Sequence, residues 1–129
     1  MLINLSNHPS SAWSEEQAKA ANEKYGNIVD LQFPVVPPEA DIDDVLEIAR
    51  EYTQKCMVLI GNQKENSAVH VMGEMTFTYN VVRYLSHKAI IAVASTTERI
   101  VEVDVSGQKT SVFRFKQFRK YGSESEIPF

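Results

Sequence analysis

The chain has 129 residues, of which 43% are hydrophobic, and a formal net charge of −4. This length suits one domain with a packed core, and the negative charge argues against a broad basic face for a long nucleic acid, because such binding depends on many Lys and Arg contacts to phosphate. Cys56 is the only cysteine, which excludes an internal disulfide and fits a reducing cytoplasm, and no segment approaches the ~20 apolar residues of a membrane span.

The first part of the chain predicts a strand, a helix and a second strand. The apolar residues 2–5 indicate a buried strand. Ser14 has the side chain of a helix N-cap, and the helix is expected to run to about Tyr25, where Gly26 is suited to end it. A short strand is expected next, at residues 28–31.

A long second helix is expected after a proline-rich segment. Three prolines exclude regular structure from residues 33–39, and Asp41 is the expected N-cap. Apolar side chains recur at helical spacing over residues 42–60, so the helix is expected to continue through residues 57–60 and to end at Gly61. The alternative is a strand over residues 57–60.

The next segments continue an alternation of strands and helices. After a polar loop at residues 62–67, residues 68–72 indicate a third strand, residues 75–86 a helix and residues 90–94 a fourth strand. The order β-α-β-α-β-α-β is typical of parallel strands joined by crossover helices. The predicted fold class is therefore α/β with a mainly parallel sheet.

The last third of the chain predicts an antiparallel β-hairpin. Residues 100–105 and 112–116 alternate apolar and polar side chains, with Gly107 between them. A three-residue loop at 107–109, with a glycine bulge, buries one apolar face. It would place Val103 opposite Phe113, Val101 opposite Phe115 and Glu102 opposite Arg114. The hairpin would extend the sheet at one edge or cover a dimer partner.

Residues 1–121 are expected to form the domain, and residues 122–129 a flexible C-terminal tail.

Polar side chains follow three of the predicted parallel strands, in the segments 6–11, 73–78 and 95–99. In an open parallel sheet, ligands bind outside the carboxyl ends of the strands. We therefore expect one site built from these three segments. The candidate catalytic residues are His8, Glu74 and Arg99, and the candidate ligand-binding residues are Asn7, Ser10, Ser11, Trp13, Gly73, Thr76, Ser95, Thr96 and Thr97.

The segment 95–99 has the residue types of an anion site. Its hydroxyl and backbone N–H groups can hold phosphate oxygens, and Arg99 can add a forked, charge-assisted contact. The alternative is a polar turn whose Glu98 and Arg99 side chains face solvent.

His8 and Trp13 each have two interpretations. His8 can act as an acid or base near neutral pH, or it can cap a turn. Trp13 can stack on a nucleotide base, or it can form a hydrophobic staple at the helix start.

The segment after the third strand is also open to two interpretations. Gly73 permits a close backbone approach, and Glu74 can accept a hydrogen bond from a ribose hydroxyl or an adenine amino group. The alternative for Glu74 is simple helix capping. Thr76 and Thr78 cannot both face one ligand, because positions i and i+2 diverge on a helix.

No metal or cofactor is expected. The spacing of His70, His87 and the other possible ligands matches no zinc site, and no dinucleotide or P-loop motif is present. Cys56 lies among apolar residues and is expected to be inert packing. Basic residues alternate with Phe113, Phe115 and other aromatic residues near the end, which suits a nucleic-acid surface or a hairpin with one wet face.

Four phrases of the sequence form a recognisable layout, in the order Ser-Asn-His-Pro-Ser-Ser, Val-Met-Gly-Glu-Met-Thr-Phe, Ala-Ser-Thr-Thr-Glu-Arg-Ile-Val-Glu and Phe-Arg-Phe-Lys-Gln-Phe-Arg-Lys-Tyr. In this layout, residues 1 to about 121 resemble small stand-alone CRISPR-associated proteins of type III systems. The resemblance implies a compact three-layer, Rossmann-like fold of the CARF type.

Members of related small families act as ring nucleases, which bind a cyclic oligoadenylate second messenger at a dimer cleft and cleave it, usually without metal. The resemblance therefore implies a cytoplasmic homodimer that cleaves such a ring, with cyclic tetra-adenylate as the first choice, to linear adenylates ending in a 2′,3′-cyclic phosphate. The alternative is a sensor or sponge that binds the ring without cleaving it, and a third is a structural partner of a larger effector.

Overall fold

A computed structural model describes residues 1–123. Five strands, three α-helices and two short 3₁₀ turns make up this part of the chain. In chain order they are β1 (Leu2–Ser6), a 3₁₀ turn (Ser10–Ala12), α1 (Glu15–Tyr25), β2 (Ile28–Asp30), α2 (Ile42–Ile60), a 3₁₀ turn (Lys64–Asn66), β3 (Ala68–Met72), α3 (Met75–His87), β4 (Ile91–Val103) and β5 (Lys109–Lys120).

The strands form one mixed sheet in the order β2-β1-β3-β4-β5. The first three pairings are parallel, and β4 pairs with β5 in the antiparallel direction. The predicted α/β class with a mainly parallel sheet is therefore confirmed, and the architecture fits the Rossmann-like class. The carboxyl ends of β1, β3 and β4 point to the same edge of the sheet.

The helix boundaries follow the capping residues. The Ser14 side chain accepts a hydrogen bond from the Gln17 N–H, and Gly26 ends α1 with φ of 91°. Asp41 and Asp44 cap each other's backbone N–H groups at the start of α2. The prediction that α2 continues to residue 60 is confirmed, because the apolar spacing keeps one face of the helix buried along its length.

Two hydrophobic clusters lie on opposite faces of the sheet. On one face, α2 and α3 cover apolar side chains of β1 and β3, and Phe77 is fully buried there. On the other face, α1 and the base of β5 cover a smaller cluster that includes Phe115 and Phe118. Side chains alternate between the faces along each strand, so neighbouring residues contribute to different clusters.

The fourth strand does not end where the sequence predicted. β4 continues from residue 91 to residue 103, so the segment 95–99 is strand and not a loop. Thr96 and Thr97 are β-branched and suit a strand, and β5 pairs with β4 along the whole of this segment. The prediction mistook a change in side-chain polarity for the end of the strand: β3 pairs with β4 only as far as residue 93, and beyond that point β4 lies outside the core.

The predicted register of the hairpin is wrong by four residues. Val103 lies opposite Lys109, and the loop spans residues 104–108, which keeps the predicted odd length but not the predicted three residues. The Asp104 carboxylate fixes this turn by accepting hydrogen bonds from the Ser106 and Gln108 N–H groups. Consequently Val101 lies opposite Ser111, Glu102 opposite Thr110 and Arg114 opposite Glu98.

The bulge of the hairpin lies at its base and not at Gly107. The pairing shifts between Thr96 and Thr97, which leaves Lys116 as the extra residue on β5. Phe115 and Phe118 are three positions apart and would face opposite sides of a regular strand. The bulge brings both rings to the same hydrophobic cluster.

The tail predicted for residues 122–129 lies, from residue 124 onward, outside the described residues.

Candidate functional site

β1 and β3 end beside Met72, the last residue of β3, where β4 continues past them. The Asn7 N–H, just after β1, donates to the Met72 carbonyl oxygen at 3.3 Å. The Ser95 backbone nitrogen and Oγ lie 3.4 and 3.2 Å from the Met72 sulfur. Side chains from three neighbouring strands are therefore within reach of one small ligand at this edge.

A chain of polar side chains runs beneath this edge, on the face of the sheet covered by α1. His70 Nδ1 lies 3.0 Å from Asn4 Oδ1, and His70 Nε2 lies 3.1 Å from Ser95 Oγ. Asn4 Nδ2 donates to Asp30 Oδ1 at 2.9 Å. Four strands thus contribute one residue each to a continuous series, Asp30–Asn4–His70–Ser95, whose two central members are only 2% exposed.

The partners of Asn4 determine which nitrogen of His70 carries the proton. Asn4 Nδ2 donates to the Asp30 carboxylate and to the His8 carbonyl oxygen, and both of these groups only accept. Asn4 Oδ1 is therefore an acceptor, which also receives the Ser6 hydroxyl at 2.7 Å. A neutral His70 must then be protonated on Nδ1, which leaves Nε2 as the acceptor for the Ser95 hydroxyl.

Burial keeps His70 neutral. Its ring packs against Trp13 at 5.3 Å and Phe118 at 5.7 Å between ring centroids, both nearly edge to face. Burial lowers the pKa of His70 to about 4, because the charged imidazolium loses its hydration there. His70 is therefore a permanent hydrogen-bond acceptor for Ser95 at neutral pH.

Asp30 ends the series at the surface. Its partial burial alone would raise the pKa of the carboxyl, but hydrogen bonds from Asn4 and Ser10 outweigh this and hold the pKa below its usual value. The Ser10 N–H and hydroxyl donate to the two carboxylate oxygens at 3.0 and 2.8 Å. Ser10, a predicted ligand contact, is thus engaged in holding the loop after β1 against β2.

Other predicted residues of the first loop lie at the same edge. The side chains of Asn7, His8 and Ser11 are exposed, and the His8 carbonyl oxygen accepts from Asn4 Nδ2 at 2.8 Å. The loop backbone is therefore held by the buried polar chain, while these three side chains stay accessible. Trp13 packs against His70 and Phe118 and is half-buried.

Glu74 caps α3. Its carboxylate accepts from the Thr76 N–H at 3.2 Å and from the Phe77 N–H at 2.9 Å, and it also binds the Thr76 hydroxyl. The Thr76 hydroxyl, opposed by burial and helped by these N–H groups, holds the pKa of Glu74 below its usual value. The carboxylate is ionised and lies at the edge, with part of its bonding capacity already used.

Gly73 is required by a side chain of the protein itself. A Cβ atom at this position would overlap the ring of Phe33, which comes from the proline-rich segment and packs on Phe77 at 5.0 Å between centroids. The close approach predicted for Gly73 exists, and its partner in the structure is this ring.

Arg99 does not lie with the other candidates. It is four residues beyond Ser95 on β4, about 13 Å further along an extended strand, and its guanidinium contacts Ser111 Oγ at 3.0 Å. Thr97 is exposed, and Thr96 donates to the Gln117 carbonyl oxygen at 3.3 Å. The structure therefore places Ser95 at the edge and Arg99 on the part of the hairpin that extends past the other three strands, residues 98–114, which we call the hairpin arm.

A cavity borders the site on its other side. Its volume is about 480 Å³, and Met72, Gly73, Met75, Tyr79 and Tyr121 are among its lining residues. This is the size range of small-molecule sites, which are mostly apolar and aromatic with few polar groups.

Within residues 1–123, no cluster of three or more potential metal ligands is present, and no helix is long and apolar enough to cross a membrane. Cys56 is fully buried in α2, and burial raises the pKa of its thiol to about 12, so it remains a neutral packing group.

The sequence did not single out Asn4, His70 or Asp30. Asn4 and His70 each interrupt an apolar strand, and they pair directly across β1 and β3. Two polar residues on the same face of adjacent buried strands are a usable signal, because buried polar groups must find partners. Finding it requires the pairing register, which the sequence alone does not supply.

The fold and site define an α/β protein with a mixed five-stranded sheet and a polar site at the strand ends. The family model described as "Uncharacterized protein MJ1673 family" matches residues 1–119, and the chain belongs to this family. It is 32% identical over 90 residues to the uncharacterized protein MJ1673 of Methanocaldococcus jannaschii, a match that covers 67% of this chain and 65% of that protein. No solved structure matches the chain.

Proposed function

We propose that this protein is a CARF-like ring nuclease of type III CRISPR antiviral defence, which binds a cyclic oligoadenylate and cleaves it without metal. The observation that supports this proposal is the position of Met72 at the end of β3, with Asn7, just after β1, on one side and Ser95 of β4 on the other. Ligand sites of open α/β sheets lie at this edge. Cyclic tetra-adenylate is the first ligand to test.

The proposed reaction depends mainly on how the protein positions the ribose 2′-oxygen against the neighbouring phosphorus. A ribose 2′-oxygen attacks the neighbouring phosphorus and loses its proton, and the bond from phosphorus to the 5′-oxygen breaks as that oxygen gains a proton. The products are linear adenylates with a 2′,3′-cyclic phosphate. Holding the 2′-oxygen in line with the leaving oxygen supplies much of the rate of such a step, and a metal ion is not required for its balance.

We assign proton transfer to His8. Its side chain is exposed at the edge, and its backbone is fixed by Asn4, so the imidazole can reach a ligand from a stable loop. Glu74, at the start of α3, is assigned to a ribose hydroxyl. Asn7, Ser11, Thr76 and Ser95 are assigned to the ligand as hydrogen-bonding groups.

Arg99 is assigned to the site of a second copy of the chain. About 13 Å of strand separates it from Ser95 of the same chain, whereas Val101 and Phe113 on the same arm are 52% and 66% exposed. We propose a two-fold homodimer in which this apolar part of the arm packs on the partner and carries Arg99 toward the partner's site. A symmetric ligand suits a site that is repeated by a two-fold axis. The protein would act in the cytoplasm.

Binding without cleavage is the second candidate function. The observations in its favour are that Glu74 already caps α3 and that Arg99 lies away from the edge in its own chain. A sensor or sponge needs the same strand-end site but no group that moves protons.

The test is incubation of the purified protein with cyclic tetra-adenylate in EDTA. We expect linear products with a 2′,3′-cyclic phosphate, and separate His8→Ala and Arg99→Ala variants in which at least one slows turnover more than it weakens binding. His87→Ala is the matched control, because His87 lies at the opposite end of α3. Unchanged ligand at stoichiometric protein would reject the nuclease, and tight binding in the same sample would support the sensor.

A further inference from the structure

Ser95 carries a hydrogen-bond donor and an acceptor side by side at the strand-end edge. Its backbone N–H faces the Met72 sulfur at 3.4 Å, and its Oγ lies 3.2 Å from the same sulfur. A thioether is a weak acceptor, so the N–H is poorly satisfied, and the sulfur supplies no donor to the lone pairs of Oγ. A ligand that displaces the Met72 side chain would gain two stronger hydrogen bonds.

Met72 can be displaced because it is flexible and has room. Its side chain is unbranched with three rotatable bonds, the residue is 38% exposed, and it borders the cavity of about 480 Å³.

The neighbouring histidine fixes the polarity of the Ser95 hydroxyl. Asn4 holds the proton of His70 on Nδ1, so Nε2 accepts the hydroxyl proton of Ser95 at 3.1 Å. With its only proton directed inward, Oγ can accept a hydrogen bond from a ligand but cannot donate one. Ser95 therefore offers one donor, its N–H, and one acceptor, its Oγ.

We propose that Ser95 recognises adenine through this pair, with His70 as the positioning residue that sets its polarity. The inference rests on the proposed function and names the base that the site selects. Adenine carries an amino donor next to a ring-nitrogen acceptor. The amino group binds Oγ and the ring nitrogen accepts from the Ser95 N–H. Hypoxanthine in the same position would place a carbonyl oxygen against Oγ, so that two acceptors face each other.

The experiment compares two rings that cannot be cleaved. The probes are cyclic 2′-O-methyl tetra-adenylate and the same ring with hypoxanthine in place of adenine, and the measurement is isothermal titration of the wild-type protein. We expect the hypoxanthine ring to bind about tenfold more weakly, because two hydrogen-bond acceptors would then face each other with no proton between them. Equal affinities would overturn the inference.

Variants at two positions separate recognition from folding. Ser95→Ala removes Oγ and should abolish the difference between the rings, whereas Ser106→Ala in the hairpin loop should leave it unchanged. His70→Gln keeps an acceptor near the position of Nε2 and should preserve the difference, whereas His70→Asn keeps only the donor to Asn4, frees the hydroxyl to turn, and should reduce it. A difference that survives Ser95→Ala would also overturn the inference, and melting temperatures identify any variant that fails to fold.

The outcomes distinguish this inference from the function on which it rests. Preference for the adenine ring without cleavage of cyclic tetra-adenylate would keep the inference and reject the nuclease. Cleavage of cyclic tetra-adenylate with equal binding of the two probes would keep the nuclease and reject the inference. Failure to bind either probe, together with unmodified cyclic tetra-adenylate that is neither bound nor cleaved, would reject both.

Discussion

The two faces of the parallel sheet are built from the same strands but serve different ends. On the face covered by α2 and α3, β1 and β3 contribute Ile3, Leu5, Val69 and Val71, all fully buried. On the face covered by α1, the alternate positions of the same two strands contribute Leu2 and Ala68 and then the polar Asn4, Ser6 and His70.

This difference separates the face that mainly stabilises the fold from the face that carries the candidate site. The apolar face needs no directional contacts, because its stabilisation depends on buried area and packing. The buried polar groups of the other face, Asn4, Ser6 and His70, are hydrogen-bonded in one connected chain that ends at Ser95. The larger hydrophobic cluster on the opposite face stabilises the sheet on which this polar chain is built.

The largest expected effect comes from the apolar face. Phe77→Ala removes a fully buried ring that contacts Phe33 and Tyr52 at 5.0 and 5.7 Å between centroids. We expect a loss of about 3–5 kcal/mol in the free energy of unfolding, measured by urea denaturation. A loss of less than about 1 kcal/mol would contradict the claim that packing on this face stabilises the fold.

The next effect concerns His70 and pH. The pKa of His70 falls from 6.5 in the unfolded chain to about 4 in the folded protein, so the unfolded state binds more protons between these values. The contribution of this group to stability is therefore complete above about pH 6.5 and is lost as the pH falls toward 4. Linkage gives a loss of up to about 3 kcal/mol over that window.

His70→Gln is the control for this pH dependence. Its unfolding free energy should decline less than that of the wild type between pH 7 and pH 4.5, because the variant has no group at this position that gains a proton on unfolding. Parallel curves for the two proteins would show that His70 is not buried as a neutral ring.

The smallest of the three effects lies beside the apolar face, where Phe33 packs on its cluster. Gly73→Ala places a methyl group against the Phe33 ring, and we expect a loss of about 1–3 kcal/mol from overpacking. Phe33→Leu in the same chain should recover part of the loss, since it removes the obstructing ring atoms. If Phe33→Leu gives no recovery in the double variant, the ring is not the reason for a glycine at this position.

Much of the fold could be predicted because its signals are local. Ser14, Gly26, Asp41 and Gly61 mark the helix ends in the sequence, and each occupies the predicted position. The register of the hairpin could not be predicted, because it depends on the hydrogen bonds of Asp104 and on a bulge at Lys116 that no alternation of side chains announces.

The convergence of the candidate residues was predicted only in part. The strand-end rule located Asn7, Glu74 and Ser95 at one edge, but it also assigned Arg99 to that edge, because a run of polar residues was taken as a loop. Asn4 and His70 were passed over, since each is a single polar residue in an apolar strand and its meaning depends on its partner across the sheet.

The most direct test of this account is a long-range ¹H–¹⁵N NMR spectrum of the histidine side chains at neutral pH, with and without cyclic 2′-O-methyl tetra-adenylate. We expect His70 to be neutral and protonated on Nδ1, and its Nε2 resonance to shift when the ring displaces Met72 from Ser95, while His87 stays unchanged. A His70 protonated on Nε2, or an Nε2 resonance that does not respond to saturating ligand, would contradict the account.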